Sequence, residues 1–232
     1  MKATMSSLTW MFQTAGFPDG ESLARAEVVV TIYDDLLANV AACATVGRGG
    51  QAPRWHWATL VALEDAVMDE SRPAYDRAYA WWLLVCTWGV LRFDDNRGVV
   101  PAEVKVAEGG CLNLDLTRTK TTGGGKGVEV RKVVVAAEAY LSRPGWLEAG
   151  AALWRRIAPG TRDYLLPLPD QGRESCILLE ASYSDAAGMM RALMASLELP
   201  GTGEPLPSVL ARVYTPHSPR SWLPSAAAAL GY

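Results

Sequence analysis

Residues 112–131 read LNLDLTRTKTTGGGKGVEVR, and the fold class turns on this stretch. Leu112, Leu114 and Leu116 alternate with Asn113, Asp115 and Thr117, the period-two pattern of a strand with one buried face. TTGGGKG, residues 121–127, is a turn whose glycines supply positive φ angles without steric penalty. Val128 and Val130, separated by Glu129, then begin a returning strand. A short strand near Val99–Val106 is expected beside this pair.

On both sides of the hairpin the apolar period becomes helical. Towards the N-terminus, Val28, Ile32, Leu36, Leu37 and Val40 place a helix over about residues 21–44. VGRGGQAP, residues 46–53, is a Gly-rich break and the expected linker. A helix from about Trp55 to Met68 comes next. Pro73 opens another, Ala74 to Leu91, which is apolar almost all round and therefore belongs at a domain centre. Beyond the hairpin, helices are expected over Trp146–Ile157 and Tyr183–Leu197. In the latter, Tyr183, Ala187, Met190, Met194 and Leu197 form one stripe, which reads as core. A last helix covers Ala226–Leu230, with Gly231 as its cap. The class is α+β and mainly helical, with helices around a small antiparallel sheet. The chain divides into a partial N-terminal helical region and linker over 1–50 and a larger domain over 51–232.

Half of the 232 residues are hydrophobic and 20% are charged, which suits a chain with a buried core and excludes wholesale disorder. The longest nearly apolar stretch, Ala78 to Leu91, is short of the roughly 20 residues that span a bilayer. The first residues lack an apolar segment followed by a cleavage site, so a soluble intracellular protein without a membrane partner is expected. Cys43, Cys86, Cys111 and Cys176 form no CxxC pair, and only His56 and His217 could join them. No structural zinc pattern can be assembled, and the thiols read as reduced. Net charge is −3, which argues mildly against a nucleic-acid binder. From Arg92 to Lys132, however, eight basic residues face six acids.

Four residues stand out as carriers of chemistry. Arg92 follows the apolar helix in GVLRFDD, three residues before Asp95. It reads either as a locally paired surface arginine or as a guanidinium carried on a rigid element to grip a phosphate. Lys120 lies where the Leu112–Leu116 strand enters its turn. The turn is not a nucleotide phosphate loop: Lys120 stands where the first Gly of GxxxxGK[ST] belongs, and Gly127 where Ser or Thr is needed. His217 and Arg220 form an H-x-x-R before the last helix. His56, between two tryptophans, reads as structural.

In this order the pieces resemble the catalytic domain of tyrosine recombinases, the phage-integrase-like family of DNA breaking–rejoining enzymes. There an apolar helix ends in G-L-R-x-x-E/D, a β-hairpin carries a lysine and a later helix opens with H-x-x-R. Here the counterparts are GVLRFDD, TRTKTTGGGKG and HSPRSWLPSAAAALG. The last of these, with the TKT hairpin, looks most like recombinases of eukaryotic mobile elements. The resemblance covers about Pro53 to Tyr232 and implies metal-free cleavage of DNA through a 3′-phosphotyrosyl link, with no cofactor. Arg92 and Arg220 would meet the charge of the pentacovalent transition state, and Lys120 would protonate the departing 5′ oxygen. His217 would hydrogen-bond the phosphate or help take the tyrosine proton. Asp95 would orient Arg92, and Arg118 and Lys126 would be further DNA phosphate contacts. DNA is the implied partner, with several copies assembling on it, and nuclear residence follows from that role.

The family continues past its H-x-x-R helix to a His or Trp phosphate ligand and then the nucleophilic Tyr, and the sequence here reaches neither. Tyr232 lies twelve residues after Arg220, roughly 18 Å along a helix, and directly after the cap Gly231. Tyr164, Tyr183 and Tyr214 precede the H-x-x-R. The expectation is a C-terminally truncated recombinase domain with no nucleophile of its own. The alternative is a non-catalytic DNA-binding or protein-interaction module derived from such an enzyme. Pro219 and Pro224 suggest that the last helix begins nearer Leu223, with His217 and Arg220 on a preceding turn.

Overall fold

A computed structural model describes residues 55–119, 122, 125, 127–200, 203–206 and 208–229. The helix expected over 21–44, the linker at 46–53, Lys120, Lys126, Gly231 and Tyr232 lie outside the described residues. Helix α1 spans Trp57–Met68, and His56 caps it by accepting the Ala58 N–H on Nδ1 at 3.2 Å. Helix α2, Ala74–Trp88, is the central element, with Tyr75, Trp81, Leu84 and Val85 fully buried. Its all-round apolar sequence leaves no face that prefers water. Two of its tyrosines satisfy their hydroxyls on distant backbone: Tyr75 donates to the Pro167 carbonyl at 2.6 Å and Tyr79 to that of Ala186 at 2.7 Å. Helix α3, Trp146–Ile157, crosses α2 at Gly150, where any Cβ would collide with the Trp81 ring. The close approach lets Trp81 Nε1 donate to the Leu147 carbonyl at 2.9 Å.

The expected hairpin is present in a three-stranded antiparallel sheet ordered β1-β2-β3, with β1 at Lys105–Val106, β2 at Leu112–Leu116 and β3 at Arg131–Val135. Leu112, Leu114 and Leu116 pair with Val135, Val133 and Arg131, so the alternation read from the sequence does set the buried face. The returning strand starts three residues later than Val128, which instead bridges to Thr122. Val128 and Val130 are left exposed. The strand near Val99–Val106 shrinks to β1 plus a single bridge from Val99 to Leu116. Turns of 3-10 helix at Phe93–Gly98 and Pro101–Glu103 take up the rest, because Pro101 cannot donate to a ladder.

A second hairpin, β4 at Pro167–Pro169 and β5 at Cys176–Glu180, was not legible as strands; two prolines in three residues hide β4. Helix α4, Tyr183–Ala195, is capped by Ser182 and Asp185. Helices α5, Ser208–Val213, and α6, Ser218–Ala229, follow. The start of α6 corrects the expectation of a helix beginning near Leu223: it runs through Pro224. Pro224 is on the exposed side, where water can hydrate the carbonyl that loses its partner, and packing against α2 holds the helix together. Across the domain, the buried Glu64 of α1 cups the 141–143 loop. Its carboxylate accepts the N–H groups of Leu141, Ser142 and Arg143 at 2.8, 2.8 and 3.0 Å. Burial pushes the Glu64 carboxyl up while those bonds pull it down. Among the described residues no helix is long and apolar enough to cross a membrane.

Candidate functional site

The site begins where α2 stops. The helix ends at Trp88, three residues before the predicted Leu91, and closes through Gly89. Val90 takes a left-handed conformation at φ 53°. The Leu91 N–H returns to the Cys86 carbonyl at 2.9 Å and the Val90 N–H to Thr87 at 3.4 Å, the paired bonds of a Schellman ending. A β-branched residue is costly in that conformation, and the turn persists because Leu91 is fully buried and anchors the chain beyond it.

Arg92 follows at the head of the 3-10 turn, half-buried. Asp95, itself buried, accepts the Arg92 N–H at 2.8 Å, and the Asp95 N–H returns to the Arg92 carbonyl at 3.0 Å. Asp95 thus holds Arg92 through the main chain. The far end of the turn is docked on the hairpin. Gly98 lies against Arg118, where a Cβ would be 2.7 Å from the Arg118 carbonyl oxygen and 2.8 Å from its nitrogen. The Gly98 carbonyl accepts Thr117 N–H and Oγ1–H at 2.9 and 3.1 Å. One glycine therefore lets the Arg92 turn lie directly on the strand that leads to Lys120.

Lys120 is outside the described residues, but the two residues flanking 120–121 are tied together. Thr119 and Thr122 hydroxyls lie 2.8 Å apart, and the Thr122 N–H donates to Thr119 Oγ1 at 3.1 Å. Arg118, the hairpin cation of the predicted set that is described, is engaged elsewhere. Its guanidinium donates to the Arg97 and Asp163 carbonyls, both at 2.7 Å, and pairs with the Asp163 carboxylate at 3.1 Å.

His217 and Arg220 come from the start of α6. Thr215 and Ser218 exchange hydrogen bonds, Thr215 N–H to Ser218 Oγ at 3.0 Å and Ser218 N–H to the Thr215 carbonyl at 2.8 Å. This turn starts the helix at Ser218, with exposed His217 just before it and half-buried Arg220 in its first turn. Three aromatic contacts, in two sets, clamp the start of α6 to the Arg92 segment. Trp88, the last residue of α2, meets Trp222 edge-on at 5.3 Å. On the other side, Phe93 meets Tyr183 at 5.4 Å and Tyr183 meets the His217 ring at 5.5 Å. Residues within four positions of Arg92 are thus held, directly or through Tyr183, against residues within three positions of Arg220.

The charges register the same proximity. The Arg220 pKa is held down first by burial and then by the positive field of Arg92; Asp95 raises it and Arg131 lowers it further. Among the described residues no salt bridge is made by Arg92, Arg131 or Arg220. Guanidiniums near one another can bind an anion with several oxygens, and the exposed His217 ring reaches the same region through Tyr183. The structure brings together Arg92, Asp95, His217 and Arg220 of the predicted set. Tyr183 was missed as a member of this site because its helical spacing placed it in the Met stripe. Met190, Met194 and Leu197 are indeed buried, but Tyr183 is 42% exposed. The available signal was its place as the first residue after the Ser182 cap, where a side chain can leave the core face.

No family model and no curated protein matches the chain. Among solved structures it is similar to XerH site-specific recombinase bound to difH substrate in a pre-cleavage complex, at 15% identity and a TM-score of 0.43 over 74% of this chain and 42% of that one. Against FLP recombinase in a Holliday junction complex the values are 14% and 0.45, over 89% of this chain and 49% of the other. The chain therefore spans less than half the length of either.

Proposed function

We propose that residues 51–232 form a DNA-binding domain of the tyrosine-recombinase type, in which Arg92 and Arg220 hold one DNA phosphate for breaking and rejoining. The observation that supports this most is the aromatic clamp, which holds the segments of two arginines that make no salt bridge among the described residues against each other. Arg92 and Arg220 stabilise the extra negative charge of a pentacovalent phosphate. His217 donates a hydrogen bond to the same group or takes a proton from the attacking hydroxyl. Lys120, two residues after Arg118 in the sequence, acts as the acid for the leaving oxygen. We assign no nucleophile within this chain. Its supply by another subunit, in an assembly of several copies on DNA, belongs to the same proposal, as do nuclear residence and a mobile-element origin.

The test is DNA affinity as a function of salt. The wild-type chain should bind duplex DNA in a strongly salt-sensitive manner. Arg92→Ala combined with Arg220→Ala should weaken that binding by at least tenfold at low salt. Unchanged affinity in the double variant, with folding verified by circular dichroism, removes the phosphate-gripping site.

A further inference from the structure

Resting on that reading, we infer that Arg131 is a third phosphate-binding residue, which takes the DNA phosphate next to the one held by Arg92 and Arg220. Sheet register carries the argument. Arg131 pairs with Leu116 across β2–β3, and paired residues of an antiparallel ladder point to the same face. Leu116 is fully buried, as is Val99, which bridges to it from the other side. Arg131 therefore leaves the sheet on the core-facing side, at the end where the core gives way to solvent.

Val133, one strand repeat further on and on the same face, lies against the end of α2: a Cβ on Gly89 would be 3.1 Å from Val133 Cγ1. Gly89 is three residues before Arg92. Arg131 projects from the same face about 7 Å further along the strand, past the helix end and towards the Arg92 turn. The electrostatic environment of Arg220 includes Arg131 as well as Arg92, which sets all three cations around one region. The Asp95 carboxylate acts on Arg220 there, and it accepts the Arg92 N–H. Three guanidiniums with one internally engaged acid repel one another unless anions enter between them. A single phosphate is filled by two arginines and a histidine; a nucleic-acid backbone offers the next phosphate along.

Strand alternation supplies a control inside the sequence. Lys132 carries the same charge one residue away but points to the opposite face, opposite Asp115. Binding of a fluorescein-labelled random-sequence duplex is to be followed by anisotropy across a salt series. Each lost phosphate contact should reduce the slope of log K against log salt by about 0.9. Arg131→Ala is expected to lose that amount, Arg131→Gln the same, Arg131→Lys little, and Lys132→Ala nothing. The glutamine variant keeps a long polar side chain, so agreement between it and alanine excludes misfolding as the cause. If Arg131→Ala and Arg131→Gln keep the wild-type slope while Arg92→Ala loses it, the inference falls and the proposed function stands. An equal loss in Lys132→Ala also overturns it, since facing would then not matter. If Arg92→Ala and Arg131→Ala are both without effect, the proposed function itself fails.

Discussion

Gly98→Ala inserts one methyl group at the place where the Arg92 turn rests on the hairpin, and the structure fixes what it meets. The new carbon would stand 2.7 Å from the Arg118 carbonyl oxygen, 2.8 Å from its nitrogen and 3.0 Å from its carbonyl carbon. All three are backbone atoms of a segment tied to Arg97 and Asp163, so no side chain can swing aside. Overpacking of this kind costs about 1–3 kcal/mol. If the turn lifts off instead, the two Thr117 bonds to the Gly98 carbonyl are lost, at about 1 kcal/mol each. Either route gives a destabilisation of about 2 kcal/mol, which lowers the melting temperature of a domain this size by about 4–8 °C. Urea unfolding should show a lower midpoint with an unchanged slope. DNA affinity should fall as well, because Arg92 moves with the turn. Gly188→Ala is the matched control. It lies inside α4 with nothing within 4 Å of its added carbon, so it should stabilise by up to about 1 kcal/mol. Equal stability of Gly98→Ala and wild type would refute the docking argument.

Two further outcomes follow from the same geometry. Tyr183→Ala removes both rings' contact at once and should shift the His217 ring proton resonances, whereas Tyr183→Phe should leave them nearly unmoved. No movement in the alanine variant would mean that Tyr183 does not position His217. Hydrogen bonds from Ser182 hold the Asp185 carboxyl below its ordinary value of 3.8. The stability this contributes to the start of α4 is present above that value and lost as pH falls through the lowered one. Amide exchange at residues 183–186 should accelerate below pH 3.8, and Ser182→Ala should show the acceleration at neutral pH already. Exchange indifferent to both changes would show that the cap does not hold the helix end.

The parts of this fold that were legible in the sequence are those where one local rule acted alone. The Leu112–Leu116 alternation set the buried face of β2, and the apolar run from Ala74 set the central helix. Boundaries were read less well because tertiary contacts decided them. Buried Leu91 pulls the chain out of helical geometry after Trp88, and the Trp88–Trp222 contact carries α6 through Pro224. The β4–β5 hairpin gave no signal, since its prolines obscure any strand pattern. Within the candidate site, Arg92, His217 and Arg220 were proposed from their order along the chain. The proposed part of Arg131 and the contact of Tyr183 with His217 depend on sheet register and on a helix's first turn. Such three-dimensional facts leave no spacing rule in the sequence.

The account rests on Arg92 and Arg220 acting on one phosphate, and a double-mutant cycle on DNA affinity measures that directly. Wild type, Arg92→Ala, Arg220→Ala and the double variant are titrated with the same duplex at one salt concentration. Residues that share a ligand group couple by about 0.5–3 kcal/mol, whereas independent sites add. The account predicts that the second substitution costs clearly less once the first has been made. Strict additivity of the two losses would place the arginines on separate phosphates and contradict it.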